Sequence, residues 1–242
     1  MTRNILIKQM TIFTVIIMCL GFSLKPLLAQ NNKTAVDNYL SWFKPVNAHL
    51  RTAISYLRTG NTDFAALALE DMITAKAPDE TLQGTLKSTV TSTVKKAQTA
   101  LDQIDNNEPD KARAMLLTMR ADFFALHQKS NIKVFDDCIW MLGKKGPALW
   151  HYRKNKADLT NEEELQSVAK AAADYLAQLN LCDAQATPQI KADESYSRIV
   201  TGARQSLERL PAEALANKDG GQLYRFIIEL RSFDRLLYFR FG

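Results

Sequence analysis

Glycine is scarce, at 9 of 242 residues, and no stretch alternates polar and apolar residues over the length of a strand. Both absences argue against a β-sheet. No glycine-rich phosphate loop and no Gly-x-Ser-x-Gly elbow occurs, which removes the backbone cradle of nucleotide triphosphatases and the strained nucleophile turn of α/β-hydrolases. The three histidines, His49, His127 and His151, have no His-x-x-x-His or His-x-x-Glu-His spacing. One helix therefore cannot present the paired imidazoles of a zinc site. Cys-x-x-Cys and Cys-x-x-Cys-His are also missing, so a thioredoxin-like redox motif and covalent haem attachment are excluded.

What is present begins with a leader. Arg3 and Lys8 precede an uncharged run from Gln9 to Leu24, and Lys25-Pro26-Leu27-Leu28-Ala29 ends in a small residue. This is the layout of a secretory signal peptide over 1–29. The apolar run is shorter than the roughly 20 residues that cross a bilayer, so cleavage after Ala29 is expected; Leu27, large for its position, keeps a retained anchor as the alternative. Met18 before Cys19 argues against lipid modification. The leader holds three of the 31 basic residues and none of the 26 acidic ones, which leaves the mature chain, 30–242, near neutrality. So even a balance offers no field for nucleic acid. The expected location is the periplasm, with no transmembrane helix after cleavage.

Outside a reducing cytosol, Cys138 and Cys182 are free to pair. Each lies on an apolar helical face: Ile132, Phe135, Ile139 and Leu142 surround the first, while Leu165, Val168, Ala172, Tyr175 and Leu179 lead into the second. A structural disulfide is expected, with two unpaired buried thiols as the alternative.

From Lys33 onward the apolar residues keep helical spacing, which predicts an all-α fold of about eight helices. Antiparallel hairpins would pack as one or two up-and-down bundles, with an internal division near Lys129. Breaks are expected at Gly60-Asn61, Ala77-Pro78, Asn106 to Pro109, Lys129-Ser130, Gly146-Pro147, Pro188 and Gly220-Gly221. Thr160 with Glu163 reads as a capping box, and Pro45 as a kink or restart in the first helix. An internal echo supports the hairpins. Ala53-Ile54, Leu57, Gly60, Asp63, Ala65, Leu69 and Met72 match Ala100-Leu101, Ile104, Asn107, Asp110, Ala112, Leu116 and Met119, each pair 47 residues apart. Leu215, Asp219, Gly220, Leu223, Ile227 and Leu230 form a weaker third copy.

Several residues are candidates for function. In the last helix Asp234 falls about 60° from the centre of the apolar face, and Arg231 is placed to form a structural ion pair with it. Arginines 225, 231, 235 and 240 could alternatively receive an anionic ligand or partner. Asp136-Asp137 reads as a solvated or salt-bridged acidic pair, and the histidines as surface or interfacial residues. Lys144, Lys145, Trp150, Tyr152, Arg153 and Lys154 combine cations with aromatic rings. That mixture suits contact with a protein partner, a glycan or a membrane surface; the plainer reading is a solvated connection between helices with one Trp tucked inward. No catalytic group and no cofactor is expected. The competing reading is haem or copper held in a helical bundle by Met72, Met115, Met119 and a histidine such as His127.

Two segments, Ser130-Asn131-Ile132-Lys133-Val134-Phe135-Asp136-Asp137-Cys138-Ile139 and Glu229 to Gly242, resemble a poorly characterised exported helical domain of proteobacteria associated with c-type cytochrome modules. The resemblance covers the chain from Val94 to its end. It implies a helical architecture and an electron-transport neighbourhood, and it assigns no site residue. The expected function is a non-enzymatic periplasmic binding or accessory module with a protein partner in the cell envelope.

Overall fold

The computed structural model describes residues 33–77, 82 and 84–242. The leader 1–29 with its Cys19, and Pro78, lie outside the described residues. Nine α-helices and no strand occur among those described. They are α1 (33–59), α2 (Thr62–Thr74), α3 (Gly84–Asp105), α4 (Pro109–Ser130), α5 (Phe135–Trp150), α6 (Glu162–Gln185), α7 (Pro188–Lys191), α8 (Glu194–Leu210) and α9 (Gly220–Phe241). The chain is an all-α helical bundle protein, and no helix among the described residues is long and apolar enough to cross a membrane. It divides into two compact units, one ending at Phe123 and one comprising Phe124–Gly242. The division thus falls within α4, several residues before Lys129, because the end of that helix is tied to α5 by a bond between His127 and Asp137.

In the first unit α1 buries Tyr39, Trp42, Phe43, Val46, Leu50, Ala53 and Leu57 at helical spacing. Phe123 meets the ring of Phe43 edge-on at 5.2 Å and that of Trp42 at 6.2 Å, a favoured aromatic geometry. Of the two readings of Pro45, a kink or a restart, the restart does not occur, since the helix runs through it. Pro45 is on the exposed side, where water can take the carbonyl its missing N–H leaves at Ser41.

The internal echo is a structural repeat of helix endings. The N–H of Gly60 bonds the carbonyl of Leu57 and that of Asn61 bonds Tyr56; the same two bonds join Asn107 to Ile104 and Glu108 to Gln103, then Lys218 to Leu215 and Asp219 to Ala214. This is the Schellman arrangement, which satisfies orphan carbonyls and reverses the chain. It requires a left-handed residue, and φ is +78° at Gly60, +59° at Asn107 and +52° at Lys218. The third copy, weakest in sequence, is thus a full copy in backbone bonding.

The second unit pairs its helices antiparallel. Cys138 near the start of α5 lies against Cys182 near the end of α6, while Trp150 at the end of α5 meets Tyr175, earlier on α6, at 5.7 Å. Likewise Arg209 of α8 lies over Phe226 at 5.6 Å and Arg240 donates to Ser195 at 2.8 Å. Two expected boundaries are corrected. Helix α5 continues through Gly146-Pro147, since a side chain on the buried Gly146 would collide with the Trp150 indole that fills its place. Asn161, not Thr160, caps α6, accepting from the N–H groups of Glu163 and Glu164, while Thr160 bonds Asp158.

Lysine carries a Cβ that strains the left-handed conformation by about 1–2 kcal/mol. Lys218→Gly should therefore stabilise the protein by about 1 kcal/mol, and Gly60→Ala should destabilise it by a similar amount. Urea unfolding of the two variants measures both.

Candidate functional site

The second unit holds a cleft of about 650 Å³ bounded by the end of α4, the connection 131–134, the start of α5 and the end of α6. Its formation starts at Asn131, whose φ of +51° ends α4 with the same bond pair as the hairpins: Asn131 to the Gln128 carbonyl and Ile132 to that of His127. Val134, extended, then starts α5. The turn brings residues ten apart in sequence into contact. His127 Nδ1 lies 2.8 Å from Asp137 Oδ2, with side-chain exposures of 0% and 8%. A carboxylate accepts, so Nδ1 carries the donated proton.

Of the readings left open, the structure takes the buried one for each group: Asp137 is paired rather than solvated, and His127 is interfacial, between α4 and α5, rather than at the surface. The link was missed because neither local spacing nor helical periodicity spans a turn of this kind. An imidazole and a carboxylate on buried faces either side of a predicted helix break were the only cue, and burial is what gives such a pair its weight.

The next residue, Cys138, stands at disulfide distance from Cys182, with Cα atoms 5.4 Å apart, within the range a bridge needs. Gln178 donates its amide N–H to both sulfurs, at 3.4 and 3.5 Å. The bridging position, the His127–Asp137 pair and the cleft thus share one corner. Towards solvent the cleft presents Gln128, Asn131, Lys133, Leu181, Gln185 and Thr187.

Other predicted residues lie elsewhere. Asp234 accepts from the Tyr175 hydroxyl at 2.9 Å, a partner 59 residues away that was not foreseen beside Arg231. Tyr152 is buried and bonds Ser167 at 3.3 Å, and Trp150 is half-buried against Tyr175. Tyr152 is corrected from contact surface to packing, and Trp150 is the one Trp tucked inward in the reading as a helix connection, whereas Lys144 and Lys154 are exposed and Lys145 and Arg153 are half-buried. Lys144 lies over the Trp140 ring at 4.2 Å. Met72 and Met119 are core residues of the first unit and Met115 is half-buried. No cluster of three His, Cys, Asp or Glu able to hold a metal occurs among the described residues.

The two segments that carry the resemblance meet beside the cleft, at Ile139. Ser130 to Ile139 supplies much of one cleft wall, and the buried Gly242 at the end of the other segment packs against Ile139. No family model, no curated protein and no solved structure matches the chain.

If Cys138 and Cys182 are bonded, reduction adds two hydrogens to the mass and, in the chain-entropy model, removes about 4 kcal/mol of stability. Intact-mass measurement with unfolding in the presence and absence of reductant tests both.

The buried phenols make stability depend on pH. Burial raises the Tyr175 hydroxyl well above its usual value, and the Asp234 charge and hydrogen bond add to the shift. Tyr196 is raised by burial and then by Asp183, against a smaller opposing effect of Arg204. Both phenols keep their protons in the folded chain at pH values where the unfolded chain has lost them. Their contribution is therefore intact below about pH 10 and declines as pH rises further. Tyr175→Phe and Tyr196→Phe should each flatten the alkaline fall in the urea midpoint; an unchanged slope would contradict the assignment.

Proposed function

We propose that this chain is an exported, non-enzymatic binding or accessory module of the cell envelope, and that the cleft of the second unit receives its protein partner. One observation carries the reading. The His127 ring and the Gln178 amide of the cleft wall are engaged with neighbouring groups, His127 with Asp137 Oδ2 and Gln178 with the two sulfurs. Groups so engaged shape a surface. The groups turned to solvent are amides, one lysine, the Thr187 hydroxyl and the exposed Leu181, which is the mixture of apolar anchor and adaptable hydrogen bonding that a protein interface uses.

The resemblance adds a neighbourhood. Because Ser130 to Ile139 forms part of the cleft wall, a domain associated with c-type cytochrome modules would present this wall to such a protein. The leader read over 1–29 supports the periplasm as the place of that encounter.

Crosslinking in intact cells, recovery of this chain and haem staining of its adducts test the proposal. A discrete haem-stained partner is expected, with recovery falling about tenfold, or 1.4 kcal/mol, for Leu181→Glu. No partner, or equal recovery with the variant, would contradict it.

A further inference from the structure

Helix α9 is apolar on two sides. Leu223, Phe226, Ile227, Leu230 and Leu237 are buried in the second unit, yet Tyr224, Ile228, Leu236 and Phe239 are 37–46% exposed. At 100° per residue these four lie within an arc of about 120°, and across the 15 steps from Tyr224 to Phe239 they form a stripe about 22 Å long. Such a helix has more apolar surface than its own unit covers.

The charge on the stripe is specific in kind and position. Arg225 and Arg235 are exposed and fall inside the same arc, with Arg235 between Tyr224 and Ile228 around the axis. Neither forms an ion pair among the described residues, and Glu229 lies just beyond the edge of the arc. The whole helix contains four arginines and no lysine. Arginine, tyrosine and phenylalanine are the types enriched at protein interfaces, where lysine is depleted.

We infer that the outward face of α9 is an interaction surface for an acidic patch on another protein, separate from the cleft and independent of what the cleft binds. Charge complementarity chooses the occupant. A guanidinium in the middle of an apolar stripe can be satisfied by a carboxylate, which it grips with two parallel bonds. A lipid surface prefers the cations segregated from the apolar face, and here they are interleaved with it.

The test uses the full chain, expressed and exported in its native host, with a photo-crosslinking amino acid at Leu236 and a control at the exposed Gln189. A discrete protein adduct from position 236, absent at 189, is expected, and its crosslinked peptide should be rich in Asp and Glu. The combined Arg225→Glu and Arg235→Glu variant should reduce the adduct at least about tenfold, with helix content and melting temperature unchanged. Arg225→Lys with Arg235→Lys should retain an intermediate yield. Equal adducts at both positions, adducts only to a second copy of this chain, or insensitivity to charge reversal would overturn the inference. So would binding to vesicles of phosphatidylethanolamine and phosphatidylglycerol that the same charge reversal abolishes.

Discussion

The second unit is organised around one buried hydrogen bond, from His127 Nδ1 to Asp137 Oδ2. It spans the corner between α4 and α5. With almost no access to water, either group would be costly to leave without its partner, so the corner is held in one conformation. That conformation sets where Cys138 faces, and hence its approach to Cys182. It also sets the direction of the connection that forms one side of the cleft. The proposed binding role rests on this rigidity, because a preformed concave wall avoids the ordering cost that a mobile loop would incur on association.

A second constraint is the left-handed residue at helix ends. Gly60, Asn107, Asn131 and Lys218 all take it, although only one is glycine. At three of these positions the chain folds straight back into a hairpin. At Asn131 the same ending leads into an extended connection, and the cleft forms where the hairpin does not. One local device, used four times with different continuations, thus accounts for both the repetition in the chain and the place where it is interrupted.

The parts of this architecture legible in sequence are those decided by local pattern. Helical spacing showed the all-α class, the 47-residue echo showed the hairpins, and the apolar faces around Cys138 and Cys182 suggested their proximity. Where local pattern competes with packing it misleads. Gly146-Pro147 reads as a break, but the glycine is a seat for Trp150 within a continuous helix. Thr160 reads as a cap, yet Asp158 takes its hydroxyl and Asn161 caps instead. Polar contacts between distant residues were barely legible: His127 with Asp137 left only two polar residues on buried faces either side of a helix break, and Tyr175 with Asp234, across 59 positions, left no trace. Exposure on α9 was equally hidden, since a helix with apolar residues on two sides does not reveal which side its own unit covers.

The central claim is that the His127–Asp137 bond holds the corner on which the cleft depends. Native-state hydrogen exchange of Asp137→Asn against the unaltered chain tests it most directly. The account predicts faster exchange confined to peptides from 124–142, with the α8 and α9 peptides protected as before. Unchanged exchange at the corner, or an even loss of protection through the whole unit, would contradict it.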